Sequence, residues 1–251
     1  VRGTPQILGR AGPSAEGYDD EAVTDFFRPA WVRRVRFGVL VAVPLPTGLE
    51  PVPEVVLTRL HPRERALAAA ERGRRQIEVA GGRLAWRAAA REFGIDPDTH
   101  ALLSTSARVP LSPEGWSVSL THKEDLAVAL MAPSADGLVG VDLEGGSRDR
   151  SAIASRVCRP EELDVVQALP EAERWPDVMV RFAVKEAIYK ALAPRLGRFF
   201  GFQAARVEPG PPTEVTMFLE PGDPTFSIET DLLWLEDGRV VAMVRGRTPA
   251  P

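Results

Sequence analysis

Gly140-Val141-Asp142-Leu143-Glu144 and, further on, Phe182-Ala183-Val184-Lys185-Glu186-Ala187-Ile188-Tyr189-Lys190 are the stretches that decide how this chain is read. In the first, side chains alternate with the period of a strand, so Asp142 and Glu144 share one face while Val141 and Leu143 point the other way, into a core. Two carboxylates on one face at a strand end suit a hard cation such as Mg²⁺, which prefers oxygen ligands. An ordinary solvent-facing strand edge has the same pattern. In the second stretch, Glu186 and Lys190 are one helical turn apart with Glu first, the favoured order for a surface ion pair worth only about 0.3–0.5 kcal/mol. Together the two stretches offer Asp142, Glu144 and Glu186 as an oxygen cage, with Lys185 and Lys190 beside it. The lysines are informative because the chain has only Lys123, Lys185 and Lys190 and otherwise uses Arg. Lys is a compact point charge that can give up a proton; Arg is not.

Working outward, the chain has 251 residues, enough for one large domain or two small ones. A hydrophobic fraction of 44% and a charged fraction of 26% are those of a soluble globular protein. The net charge of -4 gives no sign of nucleic-acid binding. The longest apolar run, Phe37 to Pro46, is too short to span a membrane. The single Cys158 excludes an internal disulfide and fits a reducing, cytoplasmic compartment. Residues 1–30 are polar, acidic and Gly/Pro-bearing, unlike a secretory signal, and read as an irregular or disordered segment with one helical turn around Glu21 to Phe27.

The pattern predicts a strand over Val35 to Val43 and a short extended piece over Glu54 to Leu60. Pro62 to Phe93 reads as two helices, broken near Gly73 or at Gly81-Gly82 and ended by Gly94. Strands follow at Val118 to Leu120, Leu126 to Met131 and Leu138 to Leu143, with a turn at Pro133 to Gly137. Pro160 to Ala168 and Pro176 to Leu192 read as helices with Pro near the start. Short strands follow at 205–207, 215–219, 226–229, 232–235 and 240–244, with a hairpin at Asp237-Gly238. Each half therefore reads as strand, helices, strands. No sequence identity is seen between the halves, so a duplication is only suggested.

Ser119-Leu120-Thr121-His122 closes a predicted strand; hydroxyls and an imidazole at a strand end can bind phosphate, although a lone His is more often structural. Arg75 and Arg83 share a helical face, and guanidinium forks suit phosphate, although a solvated basic face has the same pattern.

Taken in order, Ser-Leu-Thr-His at 119–122, Gly-Val-Asp-Leu-Glu at 140–144 and Phe-Ala-Val-Lys-Glu-Ala-Ile-Tyr-Lys-Ala-Leu at 182–192 resemble a 4′-phosphopantetheinyl transferase of the two-lobed, single-chain class. Arg75 to Arg87 and the Gly197 to Phe202 turn resemble the enterobactin-synthase-component subgroup more than the surfactin type, and Phe182 stands where many surfactin-type members have Trp. The resemblance implies an α+β fold: a pseudo-twofold of two similar lobes, each a mainly antiparallel sheet packed by helices, with the active site in the cleft between them. The expected organisation is an N-terminal segment at 1–30, a first lobe at 31–135 on the coenzyme A adenosine side, and a second at 136–251 on the magnesium and catalytic side.

The implied activity is that of a holo-[acyl-carrier-protein] synthase: the phosphopantetheine arm of coenzyme A passes to a serine of an acyl or peptidyl carrier protein, and adenosine 3′,5′-bisphosphate leaves. The resemblance implies Mg²⁺ on Asp142, Glu144 and Glu186. It places Thr121 and His122, with Arg83 as the best-matched Arg and Arg75 and Arg108 behind it, at the 3′-phosphate and adenosine end. On the same resemblance, Glu186 or a metal-bound water is expected to take the serine proton, Lys190 to stabilise or protonate the leaving bisphosphate and Lys185 to hold the phosphate. Arg195, Arg198, Phe199 and Phe200 are offered to an acidic carrier helix; basic residues also sit well at a helix C-terminus. A monomer is expected, without nucleic-acid or membrane partners. Whether the carrier serves fatty acid, polyketide, nonribosomal peptide or siderophore synthesis is not named by the sequence. A noncatalytic binding module on the same fold would be expected to lose a carboxylate or a lysine, and this chain keeps all five. An unrelated Mg²⁺-dependent phosphohydrolase would leave Ser-Leu-Thr-His and the scarce lysines unexplained.

Overall fold

The apolar run from Val35 to Val43 belongs to two strands. In the computed structural model, which describes residues 25–105, 109–145 and 150–248, β1 (Trp31–Val35) turns at Arg36-Phe37 and returns antiparallel as β2 (Gly38–Pro44). Gly38 opens β2 with a φ of 145°, which side-chain-bearing residues rarely adopt. The chain forms two compact units, divided between Met131 and Ala132.

In the first unit, β5 (Trp116–Lys123) and β6 (Leu126–Pro133) complete a four-stranded sheet ordered β1-β2-β6-β5. The minor strands β3 (Leu103–Ser104) and β4 (Pro110–Leu111) pair with each other. Glu54–Leu57, expected to be extended, is a helical turn, α1. Its Val55-Val56 pair gave the strand signal, but Thr58 N–H bonds back to the Glu54 carbonyl at 2.8 Å. The long helical region breaks at Gly73, whose φ is 55°, giving α2 (Pro62–Ala69) and α3 (Arg74–Glu92). Gly81-Gly82 lies inside α3. A Cβ on Gly81 would fall 2.2 Å from Leu45, and the bare backbone lets the helix lie close over the sheet. The expected irregular segment at 1–30 falls mostly outside the described residues, but Phe27 is fully buried in this core, so the ordered unit begins before residue 31.

In the second unit, β7 (Leu138–Glu144) follows a 3₁₀ turn at Ser134–Asp136. The helices are α4 (Ala154–Val157), α5 (Pro160–Ala168) and α6 (Glu171–Leu196). The last starts before the expected Pro176 and runs through it. A two-stranded ribbon, β8 (Ala205–Glu208) with β9 (Glu214–Met217), precedes β10 (Ser227–Trp234) and β11 (Val240–Arg247). The two expected strands at 226–229 and 232–235 are thus one. Gly238, with φ 81°, turns β10 into β11, and the sheet order is β10-β11-β7. α6 lies across β7 and β11 with Ala183, Ala187 and Ala191 buried. Gly140 makes that approach possible: a Cβ there would stand 1.9 Å from the Ala187 carbonyl oxygen.

Each unit is tied together by one buried glutamate. Glu64, on the first turn of α2, accepts from its own helix start at His61 N–H (3.1 Å) and from the Arg87 guanidinium (3.3 Å) through Oε2. Its Oε1 accepts from Leu102 N–H (2.9 Å) and the Trp86 indole (3.0 Å). Glu162, on the first turn of α5, repeats the pattern. Its Oε2 accepts from Arg159 N–H (2.6 Å) and the Lys185 ammonium, and its Oε1 from Val207 N–H (2.6 Å). In both units the cation stands 23 residues after the carboxylate. One turn earlier on the long helix, Arg83 donates to the Leu102 carbonyl and Arg181 to the Val207 carbonyl. Laid on these anchors without a gap, Leu40-Val41-Ala42-Val43-Pro44-Leu45-Pro46 matches Leu138-Val139-Gly140-Val141-Asp142-Leu143-Glu144, and Arg83-Leu84-Ala85-Trp86-Arg87-Ala88-Ala89 matches Arg181-Phe182-Ala183-Val184-Lys185-Glu186-Ala187. The expectation that the halves share no sequence identity is therefore corrected. The residues that differ are the ones that carried the motif.

Candidate active site

β7 brings Gly140, Asp142 and Glu144 to the face that meets α6, because alternate residues of a strand share a face and Gly140 touches Ala187. Asp142 and Glu144 are buried there, with the Glu144 carboxylate near the Gly145 N–H at 3.4 Å. Lys190 reaches in from α6. Its ammonium donates to Asp142 Oδ1 at 2.6 Å and to the Val141 carbonyl at 3.2 Å. The expected helical pair of Lys190 with Glu186 thus gives way to a pair with the strand. Glu186 has its pKa raised, first by burial and then by the charge of Asp142, against which Lys190 pulls it down; Glu144 raises it further. Asp142 and Glu144 thus both act on Glu186, and Lys190 opposes them, where β7 crosses α6.

The donor set is all carboxylate oxygen, which suits a hard divalent cation, and such a cation would relieve the repulsion that raises Glu186. Among the described residues no three such side chains stand close enough to hold a metal ion as they are placed, and the Lys190 ammonium holds one oxygen of Asp142. The residues fit a cation in kind and charge, with Lys190 as the group to be displaced.

Lys185 is not part of this gathering. It is 3% exposed, and its ammonium donates to Glu162 and to the Val157 carbonyl at 2.9 Å. Burial lowers its pKa and the bond to Glu162 raises it. Sequence reasoning missed Glu162; its one signal was a Glu two residues after Pro160, where a carboxylate can reach back to its own helix start.

The residues assigned to a phosphate end lie in the first unit. His122 Nε2 stands 2.9 Å from Arg75 Nη1, and Glu78 meets both, at 3.2 Å from Arg75 and 3.4 Å from His122. Thr121 is buried and His122 half-exposed, as the alternation of β5 requires. Glu78 was missed, though it lies one turn after Arg75. Arg83, the best-matched Arg, lies on the same helix, eight residues after Arg75. It is 6% exposed, donates to the Leu102 carbonyl (2.9 Å) and the Ser104 hydroxyl (2.7 Å), and its pKa is pushed down to about 10 by burial, against the attraction of Glu64. Its guanidinium ties α3 to the following segment, while Arg75 stands beside His122. Arg108 lies outside the described residues.

Beside Glu186, a groove of about 260 Å³ is walled by Tyr189, Phe199, Phe200 and Phe202. Tyr189 packs on Phe199 and Phe200 at centroid distances of 5.5 and 5.2 Å, yet Phe199 is 75% exposed. Arg198, expected to face a partner, is paired with Asp223 and Glu220. Arg195 is exposed in the last turn of α6. No helix among the described residues is long and apolar enough to cross a membrane.

Residues 138–244 match the family model of the 4′-phosphopantetheinyl transferase superfamily, and residues 63–132 that of the 4′-phosphopantetheinyl transferase N-terminal domain. The chain is 29% identical over 164 residues to the 4′-phosphopantetheinyl transferase PptT of Mycobacterium tuberculosis, covering 64% of this chain and 66% of that protein. It is 28% identical over 169 residues to the 4′-phosphopantetheinyl transferase Npt of Nocardia iowensis, covering 65% and 73%. Among solved structures, the holo-[acyl-carrier-protein] synthase of Thermotoga maritima overlaps 45% of this chain and 64% of its own, at 21% identity and a TM-score of 0.36.

Proposed function

We propose a function from one premise: the chain belongs to the 4′-phosphopantetheinyl transferase superfamily. It transfers the 4′-phosphopantetheine arm of coenzyme A to a serine hydroxyl of an acyl or peptidyl carrier protein and releases adenosine 3′,5′-bisphosphate. The observation that carries this reading is the meeting of Asp142, Glu144, Glu186 and Lys190 where β7 crosses α6.

The serine oxygen attacks the phosphorus next to the pantetheine arm. The new phosphoester bond forms as the bond to the bridging oxygen breaks, and the bisphosphate leaves. Glu186, one helical turn before Lys190 on α6, takes the serine proton as a carboxylate base. Lys190, partly exposed and released from Asp142 when a cation takes that carboxylate, would offer its ammonium to the leaving bisphosphate. Asp142, Glu144 and Glu186 would hold Mg²⁺, which supplies neutralisation of the diphosphate charge. Arg75, His122 and Thr121 bind the 3′-phosphate end. The aromatic groove beside Glu186, with Arg195 at its helix end, receives the carrier protein. Lys185 is reassigned from phosphate holding to holding α6 on α5 through Glu162.

Intact-mass measurement of an apo carrier protein incubated with this chain, coenzyme A and Mg²⁺ tests the reading. A gain of one phosphopantetheine arm, lost on adding chelator, is expected. Binding without mass gain, or loss of phosphate from coenzyme A with the carrier unchanged, would overturn it.

A further inference from the structure

The shared frame leaves one stretch of the second unit unmatched. Val207, whose N–H Glu162 holds, follows that glutamate by 45 residues, whereas Leu102 follows Glu64 by 38. The cation on the long helix comes 23 residues on in both, so the seven extra residues of the second unit lie between Lys185 and Val207. There α6 runs on to Leu196, and Gly197, with φ 66°, opens the turn that carries Phe199, Phe200 and Phe202, the aromatic wall of the groove beside Glu186. Phe199 is exposed. A segment outside the frame needs an anchor of its own.

Arg198 supplies it. Its guanidinium donates to Asp223, 25 residues on, and pairs with Glu220 at 3.0 Å, on the turn that follows β9. Asp223 also closes that turn: its N–H donates to the Glu220 carbonyl at 3.1 Å, and its Oδ2 accepts from the Glu220 N–H at 3.0 Å. Arg198 donates as well to the Phe199 carbonyl at 3.2 Å, so one guanidinium grips both the turn and the main chain of the aromatic segment. A guanidinium presents its donors in a rigid planar fork, so what holds it fixes an orientation as well as a distance. From the other side, Tyr189 of α6 packs on both Phe199 and Phe200. The charged groups that line the groove itself are Glu186 and Lys185, and Lys185 is committed to Glu162.

We propose that Asp223 is a positioning residue for the aromatic groove: through Arg198 it sets where Phe199 and Phe200 stand against Tyr189, and so how the groove grips its substrate. That this substrate is the carrier protein rests on the transfer reading above. The chain has two tyrosines, Tyr18 and Tyr189, so the full chain labelled with 3-fluorotyrosine gives two ¹⁹F signals, assigned with Tyr18→Phe. Asp223→Ala and, with the 220–223 turn left intact, Arg198→Met are each expected to move the Tyr189 signal toward that of free fluorotyrosine, as the Phe199 and Phe200 rings leave it. Each is expected to raise the KM for apo carrier protein about fivefold, the reach of an exposed ion pair, with kcat and the coenzyme A KM unchanged. The double variant is expected to do no more than either change alone, because the two residues act as one link. A Tyr189 signal that stays in place in both variants, or effects that add in the double variant, overturn the proposal. A moved signal with the coenzyme A KM raised in place of the carrier KM upholds the positioning role and overturns only the assignment of the groove to the carrier. A moved signal in a chain that transfers nothing even as wild type upholds the positioning role and overturns the transfer reading.

Discussion

The two units share a frame and differ in chemistry. Glu64 and Glu162 each join the start of one helix, a cation on the next and a later backbone N–H. Around that frame the second unit places Asp142, Glu144 and Glu186, and the first unit places Pro44, Pro46 and Ala88 at the matching positions. What holds the fold is thus separable from what would do the chemistry. A buried charged residue near the motif can belong to the frame, as Lys185 and Arg83 do.

The largest expected effect falls on the chemistry alone. Glu186→Gln should lower transfer turnover about 10²- to 10⁴-fold with the fold intact, read as the rate of carrier mass gain. Unchanged turnover would place the proton acceptor elsewhere. The frame is tested next. Glu162→Ala should cost about 3–5 kcal/mol by chemical denaturation, because it leaves Lys185 buried without its carboxylate and takes one of two carboxylates from Arg181. Glu64→Ala should cost a similar amount in the first unit. A near-neutral Glu162→Ala would break the equivalence.

A smaller contrast lies at the strand–helix contact. Gly140→Ala should cost about 1–3 kcal/mol, because the new methyl must push α6 off β7. The reverse change at the matching position, Ala42→Gly, should cost only about 1 kcal/mol. A fourth contrast depends on pH. A carboxyl whose folded-state pKa lies above its unfolded value destabilises the fold only when ionised, so its cost is absent below the unfolded pKa and complete above the folded one. In chelator, Glu186→Gln should therefore gain stability over wild type as the pH rises above the ordinary carboxylate range, and nothing at acid pH. A Tm difference flat with pH would contradict the crowding of carboxylates. The smallest effect concerns Cys158, whose matching residue is Leu60. Burial and then Glu162 push its thiol up to about 11, so native protein should resist alkylation at pH 8 and react only on unfolding.

Some of this was legible in the chain. Alternation put Asp142 and Glu144 on one face, and the scarcity of lysine pointed to Lys190. The use of Lys185 was not legible, because its partner Glu162 is distant in sequence and only folding brings them together. The burial of Arg83 was not legible either: spacing shows a helical face but not whether that face is covered. Val55-Val56 read as extended because β-branched side chains suit strands, yet the local hydrogen bonds closed a helical turn. The internal match stayed hidden because prolines and an alanine occupy the positions where the eye looks for acids.

Gly140 carries a last consequence. With no side chain between them, the β7 and α6 main chains bear directly on each other, like two machined surfaces without a gasket. Asp142, two residues on, takes its distance from the helix from that seat rather than from the fit of core side chains. Changes elsewhere in the core can then loosen or tighten the packing without shifting the carboxylate relative to Lys190. A geometry that must hold to a fraction of an ångström is referenced to the least compressible part of the unit.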